Sequence, residues 1–199
     1  MDTAQLAQIA MALAAGIGLS ASCGFRVFVP PLIMSLASMA GFMELGENFA
    51  WMGTWQAALA FGVASVVEIA AYYIPALDNL LDTISTPLSA IAGAVITAAM
   101  LGGDMSPALR WILAAIAGGG SALVTSTTTS TIRAVSTTTT GGLANGLFST
   151  LEAGTSTVLS VVAIALPIVG LVLTIVLFFL IRKAIRSRSA ARKRTDGAN

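Results

Sequence analysis

From Leu159 to Ile181 the chain runs for 23 residues without one charged side chain. Crossing the hydrocarbon core of a bilayer takes about 20 apolar residues of helix. A water-exposed domain can hide such a stretch only in its own core, and this chain carries several more apolar stretches besides. Lipid offers no partners to backbone amides, so helices and closed barrels are the structures that traverse it. Barrel strands alternate apolar and polar residues, whereas this stretch is apolar throughout. The expectation is an all-α, polytopic membrane bundle, with about five full crossings plus two short or re-entrant helices.

Composition supports the same class. Hydrophobic residues make up 56% of the 199 and charged residues only 10%. Seven of the ten basic residues lie between Arg182 and Arg194, directly after the last apolar stretch. The positive-inside rule makes that tail, residues 182–199, cytoplasmic, and residues 1–181 read as one transmembrane domain. No positive charge precedes Arg26, which suits an N-terminus outside. So short a basic tail on a membrane protein anchors topology; nucleic acid is not an expected partner. There is no histidine and one cysteine, Cys23. Ser-His-Asp triads, Cys-His dyads and His/Cys metal sites are thereby excluded. No cofactor is expected and no enzyme activity.

Proline and glycine punctuate the apolar stretches. A first helix is expected over Thr3–Ser22, broken by Gly24 and Pro30-Pro31. The stretch Val27–Phe42 is sixteen residues long, short for a crossing, and reads as re-entrant. A further crossing is expected from Trp55 to Ile74. Pro75–Pro87 then reads as a short amphipathic helix, separate from a crossing over Leu88–Leu101. Another is expected from Ala108 to Val124, with Ser106 as its cap and Pro107 in its first turn. The final crossing, Ser156–Ile181, is expected to kink at Pro167. "SVVEIA" (residues 65–70) matches "SVVAIA" (residues 160–165), which suggests repeat halves over residues 1–87 and 108–181.

Between the fifth and last crossings lies "TSTTTSTIRAVSTTTT", residues 125–140, twelve of sixteen being Ser or Thr around Arg133. Three roles suit such a run in lipid. Hydroxyls satisfy a broken backbone, allow close helix packing, or line a polar pathway around a fixed charge. The favoured reading is a broken or re-entrant element whose Thr129, Thr131 and Ser136, with Asn145 beyond, line a cavity. Arg26 and Arg133 would bind an anion there, since a guanidinium at membrane depth is retained only when paired, wet or snorkelling. Glu68 and Glu152 would couple protons or form ion pairs with them, and a structural pair is the commoner role. Asp78 and Asp82, four apart, could share a hard divalent cation; the wet face of an interfacial helix is the commoner meaning of that spacing.

"GFRVFVPPL" at Gly24–Leu32, the Ile-Pro-x-x-Asp-Asn-x-x-Asp pattern at Ile74–Asp82, and the Gly-rich helix leading to Arg133 and then "LE" resemble a known family. It is a family of small bacterial multi-pass membrane proteins catalogued as a domain of unknown function. The resemblance extends to about Pro167. It implies a bacterial inner-membrane location and marks Arg26, Glu68, Asp78, Asp82, Arg133 and Glu152. The chain departs from the pattern at Tyr73, at the hydroxyl run and at Ala153, where the family often has charged or titratable groups. From these readings the expected function is a small transporter or channel for an anion or a phosphate-bearing lipid headgroup. The alternative is a non-catalytic scaffold or accessory subunit. Besides the lipid bilayer, a second copy or a partner membrane subunit is an expected contact.

Overall fold

The computed structural model describes residues 2–102, 105–140 and 145–196; of residues 75, 76, 78, 79, 137, 139, 140, 145, 181 and 184–196 it describes the backbone alone. Helices dominate, and no strand occurs among the described residues. Helix α1 spans Thr3–Cys23 and starts at Asp2, whose carboxylate accepts from the Gln5 amide at 2.7 Å while the Gln5 side chain accepts from the Asp2 amide at 3.1 Å. Helix α2 spans Val29–Met39, opened by Pro30 and Pro31 in its first turn. A 3-10 helix, Glu47–Gly53, meets α3, Trp55–Ala71, at 64°. Helix α4 spans Pro75–Met100. Helix α5, Pro107–Leu113, is capped by the Ser106 hydroxyl and passes through a π-helical turn at Ala114–Gly119 into α6, Gly120–Thr140. Helices α7, Asn145–Ala165, and α8, Pro167–Asp196, complete the chain.

Hydroxyl bonds fix the helix directions. Ser20 of α1 donates to Gly93 O of α4 at 2.7 Å, and Gly16 lies against Thr97, so α1 and α4 are antiparallel. Ser121 reaches Ile17 O and Thr129 reaches Gly24 O at 3.1 Å, so α6 runs parallel to α1. Arg26 bonds Ser149 O, and Ser156 bonds Ser22 O at 3.0 Å, so α7 runs back against α1.

The burial pattern inverts that of a water-soluble domain. Ser20, Ser22, Ser89, Thr97, Ser149, Ser156 and Ser160 are fully buried or nearly so, while Leu59, Val66, Ile91, Ile116, Val158 and Ile168 face outward. Four helices are long and apolar enough to cross a membrane, and the bent pair before and including α3 makes a fifth. Small residues let the backbones approach. A β-carbon built on Gly93 would stand 2.8 Å from Gly118 O, where α4 crosses the π-helical turn.

Four expectations change. Pro75–Pro87 is no separate helix: α4 runs straight through Pro87, and Ser89 donates to Thr86 O beside the proline. The hydroxyl run is not broken, because α6 continues through it to Thr140 and the local irregularity sits at the preceding glycines; Gly141 and Gly142 lie outside the described residues. Outward hydroxyls there satisfy themselves, Thr128 donating to Val124 O and Thr138 to Val135 O. The uncharged stretch 159–181 is no single crossing either. Leu166 and Pro167 turn the chain back, so Leu159 of α7 and Leu173 of α8 line one cleft, and a β-carbon on Gly170 would stand 2.7 Å from Ala163 Cα. Finally, α2 is short but does not return: Gly46 N bonds Ala99 O at 3.0 Å, which puts the following loop at the α4 C-terminal end, away from Arg26. The directions also bear on the repeat. Helices α1 and α6 both run toward Arg26, whereas "SVVEIA" in α3 approaches that level and "SVVAIA" in α7 leaves it.

Candidate functional site

Arg26 sits in the five-residue link between α1 and α2, where Gly24 lets the chain pass close to α6: a β-carbon there would stand 2.6 Å from Ala122 O. Its side chain is completely buried. Nη2 donates to Ser149 O at 3.0 Å, to Ser149 Oγ at 2.8 Å and to Glu152 Oε2 at 3.2 Å. Its Nε and Nη1, also buried, have no hydrogen-bond partner among the described residues. Arg133, on α6, reaches the same carboxylate: Nε donates to Glu152 Oε1 at 3.3 Å, and Nη2 bonds Glu152 Oε2. Asp82 of α4 stands 3.7 Å from Arg133 Nε. Tyr72, at the end of α3, lies under both cations, with guanidinium carbons 4.2 Å and 3.9 Å from its ring centroid. Its hydroxyl is 2.9 Å from Ser85 Oγ.

Glu68 behaves differently from its expected ion-pair role. Its carboxylate accepts from the amides of Val27, 2.8 Å, and Phe28, 3.1 Å, where α2 begins. A negative group at a helix N-terminus satisfies orphan amides and complements the helix dipole. Glu68 therefore holds the link that carries Arg26, and among the described residues Glu152 is the one carboxylate that bridges the two arginines. Two guanidinium groups and three carboxyl groups thus meet in a region contributed by α3, α4, α6, α7 and the α1–α2 link.

The expected path residues are placed apart from one another. Thr129 bonds Gly24 O and faces the cluster. Ser136 is buried on the same helix. Thr131 is exposed and its hydroxyl donates to Thr127 O at 2.7 Å, so it turns away from the cluster. The side chains of Asp78 and Asn145 lie outside the described residues. No group of three or more His, Cys, Asp or Glu that could hold a metal occurs among the described residues, and Asp82 faces Arg133 instead. A cavity of about 10 Å³, bounded by Cys23, Val27, Glu68, Tyr72, Asp82 and Arg133, adjoins the cluster. That is room for roughly one water.

Sequence reasoning missed three participants. Tyr72 and Tyr73 adjoin at the end of α3, yet Tyr72 is buried while Tyr73 is exposed, its hydroxyl 2.6 Å from Thr150 Oγ1. The place of Tyr72 one turn after Glu68 was the available signal. Ser149 and Ser85 had none, being ordinary serines in a chain rich in them.

The family described as Domain of unknown function (DUF4126) matches residues 13–187. The chain belongs to that family. The matched segment takes in the whole cluster, from Arg26 to Glu152, and the turn between α7 and α8. No curated protein and no solved structure matches the chain. That description names no activity, so function is argued from the cluster itself.

Proposed function

We propose that this protein is a small inner-membrane transporter for an anion of carboxylate or phosphate chemistry, with Glu152 occupying the anion site in the closed state. The observation that carries the reading is the convergence of Arg26 and Arg133 on one buried carboxylate while two buried nitrogens of Arg26, Nε and Nη1, have no hydrogen-bond partner among the described residues. Buried guanidinium groups are costly, and a fork that binds one carboxylate suits another of the same shape. An arriving anion would take the Glu152 position, use the spare Arg26 donors, and release Glu152 with α7. Asp82 and Glu68 remain to balance charge during the exchange. The C-terminal basic tail would face the cytoplasm.

The test is thermal unfolding of the purified protein in mild detergent with acetate, inorganic phosphate or glycerol phosphate. Glu152→Gln is run beside the wild type. The expected result is a larger anion-dependent rise in Tm for Glu152→Gln, because the internal competitor has lost its charge. Glycerol phosphate acting where inorganic phosphate does not would point to a headgroup. Absence of any anion response in both folded proteins would overturn the reading.

A second reading, a membrane scaffold or accessory subunit, is favoured by the closure of the site. A cavity of about 10 Å³ admits no anion without movement. On that reading the cluster locks five segments together, and the protein should co-purify with a partner subunit or a second copy.

A further inference from the structure

Charge, shape and room at the Arg26–Arg133–Glu152 cluster all bear on which anion fits it. Among the described residues, the charged side chains that meet there are Arg26, Arg133, Glu68, Asp82 and Glu152. With Glu152 withdrawn, the two guanidinium groups stand against Glu68 and Asp82, and the charges cancel. A monoanion then restores the balance that Glu152 gave. A dianion adds a second negative charge with no cation to meet it. Were Glu68 protonated, a monoanion would bring the cluster to neutrality and a dianion would overshoot. Excess charge out of water is costly, so both cases favour the monoanion.

Shape points the same way. Glu152 lies along one edge of the Arg133 fork, with Oε1 at Nε and Oε2 at Nη2. A planar carboxylate makes such paired contacts with a planar guanidinium. Tyr72 lies beneath both cations, its ring centroid 3.9 Å from the Arg133 guanidinium carbon and 4.2 Å from that of Arg26. The negative face of an aromatic ring repels an oxygen that points out of the guanidinium plane toward it, and a tetrahedral oxyanion brings oxygens out of that plane. Room is short as well. Beyond the volume of the Glu152 arm itself, the adjoining cavity of about 10 Å³ adds space for roughly one water.

We propose that the anion taken by this site is a small monocarboxylate, of the size of acetate or propionate, and not a phosphate or a phosphate-bearing headgroup. The inference rests on the anion-site reading above and narrows it to one substrate class.

The experiment uses the full chain in mild detergent at pH 7.5 and constant ionic strength. Glu152→Ala deletes Cγ, Cδ and both carboxylate oxygens, which are the heavy atoms of acetate. Glu152→Gly deletes Cβ as well, which leaves the outline of propionate. Each variant is titrated with acetate, propionate, inorganic sulfate and inorganic phosphate, and the rise in Tm is read after subtracting that of the wild type, which removes the general effect of salt. For Glu152→Ala, acetate should act at a concentration at least tenfold lower than sulfate or phosphate. For Glu152→Gly, the preference should move from acetate toward propionate by threefold or more. Glu152→Gln keeps the side-chain outline and serves if the shorter variants do not fold; acetate should lead the dianions tenfold there too. Sulfate or phosphate acting as well as acetate would overturn the monocarboxylate assignment and leave the anion site standing. No response to any of the four anions in folded variants would overturn both.

Discussion

Replacing Glu152 by Ala removes the one carboxylate that both arginines share among the described residues. Glu152 accepts from Arg26 Nη2 at 3.2 Å, from Arg133 Nε at 3.3 Å and from Arg133 Nη2. The arginines are 0% and 2% exposed, and both guanidinium carbons lie within 4.2 Å of the Tyr72 ring centroid. Without Glu152 two like charges would remain together out of water. Removing one partner of a buried pair costs about 3–5 kcal/mol, and here two cations lose the same partner, so the upper part of that range applies. Against a total stability of about 5–15 kcal/mol, such a loss should lower Tm by many degrees. Asp82, 3.7 Å from Arg133 Nε, recovers only part of the loss, because it does not reach Arg26.

Rescue by added acetate then separates the two readings of the cluster. If the arginines form an exchangeable anion site, acetate should enter the vacancy. At about 100 times its dissociation constant it should restore about 2.7 kcal/mol. If the cluster is a fixed structural lock, acetate should restore no more than it adds to the wild type. The assay is reversible unfolding in detergent followed by intrinsic fluorescence. A Glu152→Ala protein as stable as wild type would refute the reasoning at its root, since the buried charges would then not need their shared partner.

Other perturbations test the geometry at separate points. Tyr72→Leu removes the ring beneath both cations and should cost about 2 kcal/mol or more in thermal or denaturant unfolding. Tyr72→Phe keeps the ring, losing only the hydroxyl contact with Ser85, and should cost about 1 kcal/mol. Gly170→Leu would drive a side chain into Ala163, whose Cα lies 2.7 Å and whose amide nitrogen 3.2 Å from the new β-carbon. Backbone at that distance cannot swing aside, so a loss of at least about 1–3 kcal/mol is expected, read as a lowered Tm.

The class of fold was legible because apolar length leaves few alternatives in lipid. Helix starts were legible where chemistry is local: Pro30-Pro31, Ser106-Pro107 and the break at Gly24 all stand where the residues indicate. Continuity was not. Pro87 and the Ser/Thr run weaken a helix by local rules, yet close packing against neighbouring helices and side-chain hydroxyls keeps α4 and α6 unbroken. The reversal at Pro167 failed the opposite way. Uniform apolarity over 159–181 says nothing of direction, and the turn depends on Gly170 meeting Ala163, a contact visible only in three dimensions. The charged residues were identified individually, but their pairing was not. Nothing in the spacing tells that Glu152 takes both arginines while Glu68 takes two backbone amides.

The directions of the helices convert that geometry into a statement about sides. Helix α1 runs toward the Arg26 level, α2 and the bent pair lead away and back, α4 leaves it, α6 returns, α7 leaves and α8 returns. These seven passes along the bundle, five of them long and apolar enough to cross a bilayer, place the beginning of α1 and the far end of the apolar part of α8 at opposite ends of the bundle. If the basic residues from Arg182 onward face the cytoplasm, the arginine cluster lies toward the cytoplasmic end and Asp2 faces the other side. Cysteine substitutions at Asp2 and Lys183 test this directly, because Cys23, the only native thiol, is buried and should give little background. An impermeant maleimide applied to intact cells should label the Asp2 variant and spare the Lys183 variant until the membrane is opened. Labelling of both from one side would overturn this orientation, because it would put the beginning of α1 and the end of α8 on the same side of the bilayer.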